Sequence, residues 1–446
     1  MNQRQVALAT ATAMVGLALA GPAAAQTDRS RDLAAFDGQF LQVDRSFSDE
    51  SRAEATERFE SLKERANDLS DAEFELAIAE ISALADNGHT GVLVGRWAVA
   101  FNRLGVRFLL ADDGLFVADA IPEYEDLVGS RVVTLAGRDL DELREEWARY
   151  FAGRVGRRDD AMYAFIESPE LLHAAGLSSS PESTALVLEG GRTVEVGITE
   201  AWPEPQGLWQ WIPQARQIEL AEAGRVAGNP LYLQEPEIMF RYGELPVDGA
   251  AYVQFRANHL FDGGNLKAQS AVALKALRER APRAIVVDQR FNFGGNLNDT
   301  RDFMQAIPEV VGPEGHVFVI ISGRTFSAGI ASVGYLKQAG GDRVTIIGAP
   351  VGDRLAFWAE GSPIRLPDSS TLIGVATERH NYQTGCPEDD CHGSIRRNPI
   401  AVASLEPDVR PEVSYTDVVE GRDPNMEAAL EMVANSSDDV GASRTP

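Results

Sequence analysis

The sequence predicts an α/β protein of several domains: a helical N-terminal region, a β-rich middle region and a C-terminal core around a largely parallel sheet. Its 446 residues are enough for two or three domains of ordinary size. Hydrophobic residues make up 44% and charged residues 24% of the chain, which is typical of proteins with packed cores. From residue 231 onward, strand-like and helix-like segments alternate, which favours βα crossovers.

The N-terminus is typical of an export signal. Arg4 precedes an apolar stretch at 6–20, and Ala23 and Ala25 form an A-x-A pattern. We therefore expect a secretory signal peptide at 1–25 and an exported, periplasmic or secreted protein. A membrane anchor is the alternative, but the run is short and rich in alanine. No later segment has the composition of a membrane span.

The four remaining regions differ in pattern. Helix formers dominate 26–88, where we expect a helical domain. Region 89–230 contains β-rich runs, including a hairpin about two adjacent glycines, and predicts a β-rich domain. Region 231–430 is expected to hold the α/β core, and the polar segment 431–446 to be a disordered tail.

Charge limits the partners of this chain. The formal net charge is -26. Nucleic acids and anionic membrane surfaces both require clusters of Lys and Arg, so neither is an expected partner.

The only two cysteines, Cys386 and Cys391, are close in sequence. In an oxidising compartment they are expected to form a disulfide. The alternative is a metal site with the adjacent Asp389, Asp390 and His392. Because a structural zinc site needs a second ligand pair, the sequence favours the disulfide and predicts no metal.

A serine lies where a predicted strand gives way to a helix, in "VIISGRTFSAGIASVGYL". At such a junction, Ser327 would meet the free N–H groups and the dipole of the helix start, which favour a developing anion. A nucleophile is one interpretation, and an ordinary N-cap is the other.

A second polar turn, "DQRFNFGGN" at 288–296, follows the apolar run "AIVV". Ligands of parallel sheets bind beyond the carboxyl ends of the strands, so this turn and Ser327 are expected at one edge. The Gly294–Gly295 backbone would approach closely there. Its N–H, beside that of Ala328, would form an oxyanion hole.

A serine nucleophile needs a base. Six histidines are available, and the residues alone do not choose among them: His89, His173, His259, His316, His380 and His392. His89 lies in the glycine-flanked "ADNGHTG", and His259 is a second loop candidate.

Several motifs, in the right order over about residues 80 to 425, resemble the tricorn-like and C-terminal-processing serine peptidase family. "DQRFNFGGN" resembles its D-x-R-x-N-x-G-G signature, and "GRTFSAG" resembles the segment around its catalytic serine. "DNGHTG" resembles the segment that carries the catalytic histidine in the tricorn-like branch. "DLVGSRVVTLAGRDLDE" and "LEPDVRPEV" resemble the segments before and at the end of its core.

This resemblance implies a PDZ-like middle region, a Clp-protease/crotonase-like core and hydrolysis of peptides or proteins without a cofactor. It implies Ser327 as nucleophile, His89 as general base, and Gly295 and Ala328 as oxyanion donors. A glutamate downstream of the serine often orients the histidine. Our first candidate for this orienting glutamate is Glu378, and our second is Glu360.

The chain departs from the Ser-Lys branch of the family at "GAPVGDR", where Asp353 replaces the lysine. Arg354 cannot act as a base because it stays protonated. A non-catalytic protein that binds an apolar ligand or a peptide is the alternative function. An acyl-CoA enzyme on the same core is disfavoured by the export signal. The sequence leaves the oligomeric state open.

Overall fold

The computed structural model describes residues 28–204, 212 and 214–442, with side chains as far as 435. The expected signal peptide at 1–25 lies outside these residues. The multi-domain α/β class is confirmed. None of the helices in the described ranges combines the length and apolar composition that a bilayer crossing requires.

Helices and aromatic residues build the N-terminal region. The helices are α1 (Ser30–Ala35), α2 (Asp49–Arg65) and α3 (Asp71–Ala83), and a π-helical turn follows α1. Ser48 and Ser70 each form a capping box, which explains why α2 and α3 begin where they do.

The middle region contains a six-stranded antiparallel sheet with short helices around it. The short strand β1 (Gly91–Val92) follows α3 and lies outside this sheet. The strands of the sheet are β2 (Arg103–Leu104), β3 (Val106–Ala111), β4 (Gly114–Ala120), β5 (Arg131–Leu135), β6 (Ser183–Leu188) and β7 (Thr193–Thr199). The helices are α4 (Trp97–Ala100), α5 (Leu140–Ala148), α6 (Val155–Ala161), α7 (Tyr163–Ile166), α8 (Pro169–Ala174) and α9 (Arg216–Glu222). The sheet has the order β2-β7-β6-β5-β4-β3, and one hydrophobic core joins it to the N-terminal helices.

The C-terminal core contains the expected parallel sheet. Its strands are β8 (Phe240–Glu244), β9 (Ala250–Phe255), β10 (Ala284–Asp288), β11 (His316–Ile321) and β12 (Val344–Gly348). Strands β9 to β12 are parallel, and β8 is an antiparallel edge strand. The crossover helices are α10 (Leu266–Arg280), α11 (Leu297–Val310) and α12 (Ala328–Gly340). The carboxyl ends of β10 and β11 therefore lie side by side.

Shorter elements complete the core: β13 (Ala356–Glu360), β14 (Ile364–Arg365), β15 (Leu372–Gly374), β16 (Ala376–Asn381), α13 (Gly393–Arg397), α14 (Tyr415–Val419) and α15 (Pro424–Ala442). The helix α15 extends to Ala442, beyond residue 431, where we expect the tail to begin. Val433 is fully buried among residues of the parallel sheet, which accounts for the longer helix.

The segment just before β1 is clamped onto the C-terminal core. Asn87 Nδ2 donates to Trp358 O at 2.9 Å, and Trp358 N donates to Asn87 Oδ1 at 3.0 Å. The Asn87 amide thus pairs with β13 as a neighbouring strand would. One residue after His89, Thr90 Oγ1 donates to Asp44 Oδ2 at 2.9 Å, and the same carboxylate oxygen accepts from Ala376 N of β16 at 2.7 Å. In addition, β1 pairs with β15.

Replacing Asn87, which is buried, with Ala should lower the free energy of unfolding by about 2 kcal/mol or more, because the N–H and C=O of Trp358 both lose their partner. Chemical denaturation measures this change. Gln338→Ala is the control, since that exposed amide makes the same kind of backbone pair, with Pro399 O and Ala401 N, away from β13. Equal, small losses in both variants would contradict the clamp.

Candidate active site

Ser327 lies between β11 and α12 in a strained backbone conformation, with φ 53° and ψ −126°. Such angles are costly for any residue except glycine and persist at functional sites when the surroundings enforce them. The side chain of Ser327 makes no capping hydrogen bond to α12. The N-cap interpretation is therefore wrong.

The loop before Ser327 is fastened to the glycine turn after β10. Phe326 N donates to Asn292 O at 2.9 Å, and Thr325 Oγ1 donates to Gln289 O at 2.8 Å. Thr325, Gln289 and Asn292 are fully buried. The two loops thus form one rigid unit at the sheet edge, as parallel strands at adjacent positions predict.

Gly294 is the residue of this turn that touches the serine. A Cβ on Gly294 would lie 2.7 Å from Ser327 Cβ and 3.2 Å from Ala328 N, and its φ is 111°. Its own N–H donates to Asn292 Oδ1 at 3.0 Å. Gly294 therefore allows the close approach but has no donor left for a ligand.

Gly295 has the complementary role. Within the described ranges, neither its N–H nor that of Ala328 has a hydrogen-bond acceptor. A Cβ on Gly295 would meet His259 Nδ1 at 2.3 Å rather than Ser327. The sequence suggested one shared role for the two glycines. In the structure, Gly294 allows the close contact with Ser327, and Gly295 has the N–H group that is free to donate.

Buried ion pairs hold the turn from behind. Asp288 is fully buried and accepts hydrogen bonds from Tyr252 Oη at 2.9 Å and from Arg290 Nε at 3.1 Å. Arg290 also donates twice to Asp423, both at 2.9 Å, just before α15 begins. Asp288 and Arg290 thus shape the turn and do not face the serine.

The ring of His89 is held between two phenylalanines. It stacks on Phe326 with ring centroids 4.2 Å apart, and on Phe357 at 5.0 Å. The guanidinium of Arg157, from α6, covers Phe326 at 3.6 Å. Because Phe326 directly precedes Ser327, this stacking brings the predicted base to the serine loop.

The carboxylate nearest to His89 belongs to Asp353. His89 Nδ1 lies 3.4 Å from Asp353 Oδ2, and Asp353 is fully buried. Gly88 makes room for this carboxylate, since a Cβ there would lie 2.6 Å from Asp353 Oδ2. Asp353 lies at the position of "GAPVGDR" where the Ser-Lys branch of the family that the sequence resembles has lysine, so the sequence did contain a signal.

Burial lowers the pKa of the His89 imidazole, and the neighbouring Asp353 carboxylate opposes that shift by favouring the charged ring. His89 is thus neutral at neutral pH, as a general base must be. Neither ring nitrogen makes a hydrogen bond to another described residue. In this structure, the hydrogen bond between His89 and Ser327 is therefore not formed.

Glu378 and Glu360 do not lie against His89. Glu378 Oε2 is 3.0 Å from His392 Nδ1, and Glu360 Oε1 is 3.0 Å from His380 Nε2. The ring of Phe357 stacks on His380 as well as on His89, and so separates the two groups. The expectation that either glutamate would contact His89 is corrected in favour of Asp353.

Cys386 and Cys391 are joined by a disulfide, with Cα atoms 5.8 Å apart. The bridge closes a small loop beside β16. Both sulfur atoms are used, so they cannot be metal ligands in this state.

The sequence matches no family model, and it matches no curated protein. Among solved structures, mature CPAF complexed with lactacystin has a TM-score of 0.56 and 13% identity, and the alignment covers 92% of this chain and 99% of that one. A second structure of mature CPAF gives 0.55 and 13%, with 92% and 98% covered. This chain has a fold similar to that of mature CPAF.

Tricorn protease is also similar, with a TM-score of 0.37 and 14% identity, over 91% of this chain and 36% of that one. The similarity to CPAF spans nearly the whole of both chains, so the helical, middle and core regions occur together in it. For the fold, the resemblance to tricorn-like and C-terminal-processing peptidases is confirmed.

Gly294→Ala tests the contact with Ser327. The added methyl group should lower the free energy of unfolding by roughly 1–3 kcal/mol more than a positive φ alone explains, because it overlaps Ser327. Gly312→Ala is the matched control, since Gly312 also has a positive φ, 72°, but an open surrounding. Equal losses in thermal or denaturant unfolding would mean that the contact imposes no constraint.

Proposed function

We propose that the protein is an exported serine-type peptidase. Ser327 attacks the carbonyl carbon of a peptide bond, and His89 takes the hydroxyl proton. The observation that carries the proposal is the strained Ser327, which is followed by Ala328 and contacted by Gly294, the residue before Gly295. Within the described ranges, the N–H groups of Gly295 and Ala328 have no acceptor. The fold similarity to a protease supports it, and the disulfide is compatible with an oxidising compartment.

The two N–H groups would bind the oxygen on which negative charge develops. Donors that are already oriented stabilise this tetrahedral intermediate without reorganisation, typically by about 3 kcal/mol each. His89 then passes the proton to the leaving amine as the C–N bond breaks. Water adds to the acyl group, again with His89 as base, and releases Ser327.

Asp353 would act as a positioning residue. Its carboxylate lies near Nδ1, which leaves Nε2 as the nitrogen for the serine. The bond from Nε2 to Ser327 is proposed to form in the substrate complex, because catalytic hydrogen bonds are often long without substrate. The approach of His89 to within about 4 Å of Ser327 stays a prediction.

A non-catalytic binding protein is the second candidate. The observation that favours it is the unformed bond between His89 and Ser327. Peptide binding without hydrolysis would identify that function.

Ser327→Ala should reduce hydrolysis of an unfolded protein such as casein by at least about a thousandfold, because the nucleophile is lost. The assay follows new amino termini released by the chain without its signal peptide. Ser130→Ala, at a turn of the middle sheet, is the control and should retain activity. Hydrolysis that is equal in wild type and Ser327→Ala would disprove the nucleophile.

Asp353→Asn distinguishes the two assignments of the orienting carboxylate. We expect kcat to fall by roughly 10²- to 10⁴-fold, because His89 loses the group that fixes its ring. The acid limb of kcat/KM should move to lower pH, since the carboxylate raises the pKa of His89 against the effect of burial. A pH profile measures both changes.

Glu378→Gln is the matched variant, and its profile should stay close to that of wild type, because Glu378 contacts His392. The reverse result, with a loss in Glu378→Gln and none in Asp353→Asn, would return the role to Glu378.

A further inference from the structure

A second group of imidazoles and carboxylates lies on the far side of Phe357 from His89. It consists of Glu360, His380 and His392, and one ligand atom from each lies within 4.8 Å of the others. Glu360 Oε1 is 3.0 Å from His380 Nε2 and 3.8 Å from His392 Nδ1. The mechanism proposed above uses none of these side chains.

The strands β13 and β16 bring two of these residues together. They pair antiparallel, with Phe357 opposite His380, and the register shifts between Ala359 and Glu360. At this irregularity, Glu360 adopts a φ of 68°, which is uncommon for a residue other than glycine. Strained backbone of this kind concentrates at functional sites.

The disulfide loop supplies the third residue. His392 directly follows Cys391, so the bridge to Cys386 limits where its imidazole can lie. His392 N donates to Arg379 O at 2.9 Å, and Arg379 N donates to Asp390 O at 3.0 Å. The loop is thus attached along β16, and the three side chains are positioned before any ligand arrives.

One of the three ligand atoms, on His392, has no hydrogen bond among the described residues, and the other two, His380 Nε2 and Glu360 Oε1, are hydrogen-bonded to each other at 3.0 Å. His392 Nδ1 is buried and makes no hydrogen bond, although Glu378 Oε2 lies only 3.0 Å away, because the geometry is out of line. His380 Nδ1 is bonded to Tyr382 Oη at 3.1 Å. A metal ion would replace the proton that His380 Nε2 shares with Glu360. Nδ1 would then donate to Tyr382 Oη and leave the Nε2 lone pair facing the ion, as metal-binding histidines are oriented by a second hydrogen bond.

We propose that Glu360, His380 and His392 bind one divalent transition-metal ion of the zinc class. Two imidazoles and a carboxylate are a common zinc ligand set. Bonds of about 2.1 Å at tetrahedral angles separate ligand atoms by roughly 3.4 Å. The separations of 3.0 and 3.8 Å lie on either side of that value. The prediction of no metal considered the cysteines, whose sulfur atoms are used in the disulfide.

The ion would fasten the disulfide loop to β13 and β16. Its positive charge would lie against the carboxylates of Glu360 and Glu378. It would lie one ring away from His89, beyond Phe357, and would not contact the substrate. The proposal therefore stands whether or not the protein is a peptidase.

The test uses the untagged chain from residue 26, with its disulfide intact and stripped of metal by a chelator. Calorimetric titration with Zn²⁺ should show one ion per chain, and Zn²⁺ should raise the melting temperature, since a ligand that binds only the folded state stabilises it. Substituted Co²⁺ should give the visible bands of a tetrahedral site with nitrogen and oxygen ligands.

His392→Ala and Glu360→Gln should each weaken Zn²⁺ binding at least about tenfold. His173→Ala is the control, since that exposed imidazole contacts Ser178 O in the middle region. Circular dichroism of the metal-free variants checks that they fold. If His392→Ala does not fold, the conservative variant Glu360→Gln still decides the test. Absent Zn²⁺ binding in wild type, or equal binding in Glu360→Gln and wild type, would overturn the proposal.

Discussion

The amide of Asn87, paired with the backbone of Trp358, is the constraint on which the candidate site depends. His89 belongs to the N-terminal half of the chain, whereas Ser327 lies in the parallel-sheet core. Three contacts fix the loop of His89 on that core: the paired amide, the short β1–β15 ladder, and the Asp44 carboxylate, which accepts from both Thr90 and Ala376 N. The motif "DNGHTG" is thus a docking element as well as the carrier of an imidazole.

The docked loop then fits the serine loop through small residues and stacked rings. Gly88 leaves room for Asp353, and Gly294 leaves room for Ser327. Aromatic stacking continues beyond the site, because Phe357 lies between His89 and His380. The candidate active site and the Glu360–His380–His392 cluster therefore both pack against Phe357, and we expect a change of packing at one to affect the other.

Much of this arrangement could be predicted from the sequence. Alternating strand and helix patterns indicated the parallel sheet, and the motif order indicated Ser327, His89 and the glycine turn. The position of Asp353 beside His89 was harder to predict, because it depends on how the loop after β12 packs against Gly88. The sequence offers glutamates on β13 and β16 as candidates, but the strand register directs them to His380 and His392.

The separate roles of Gly294 and Gly295 also lay beyond sequence reasoning. Both have positive φ, and only the three-dimensional contacts show that one meets Ser327 and the other His259. Likewise, the polar composition after 431 suggested disorder, whereas a few apolar residues such as Val433 hold α15 against the sheet. Tertiary packing decided both cases.

The structure of the protein after reaction with a fluorophosphonate would test the central claim most directly. The account predicts phosphorus bonded to Ser327 Oγ, with an oxygen about 3 Å from the N–H groups of Gly295 and Ala328. It also predicts His89 Nε2 within hydrogen-bond reach of the adduct, with Asp353 at Nδ1. An unmodified Ser327, or an adduct whose oxygens point away from both N–H groups, would contradict it.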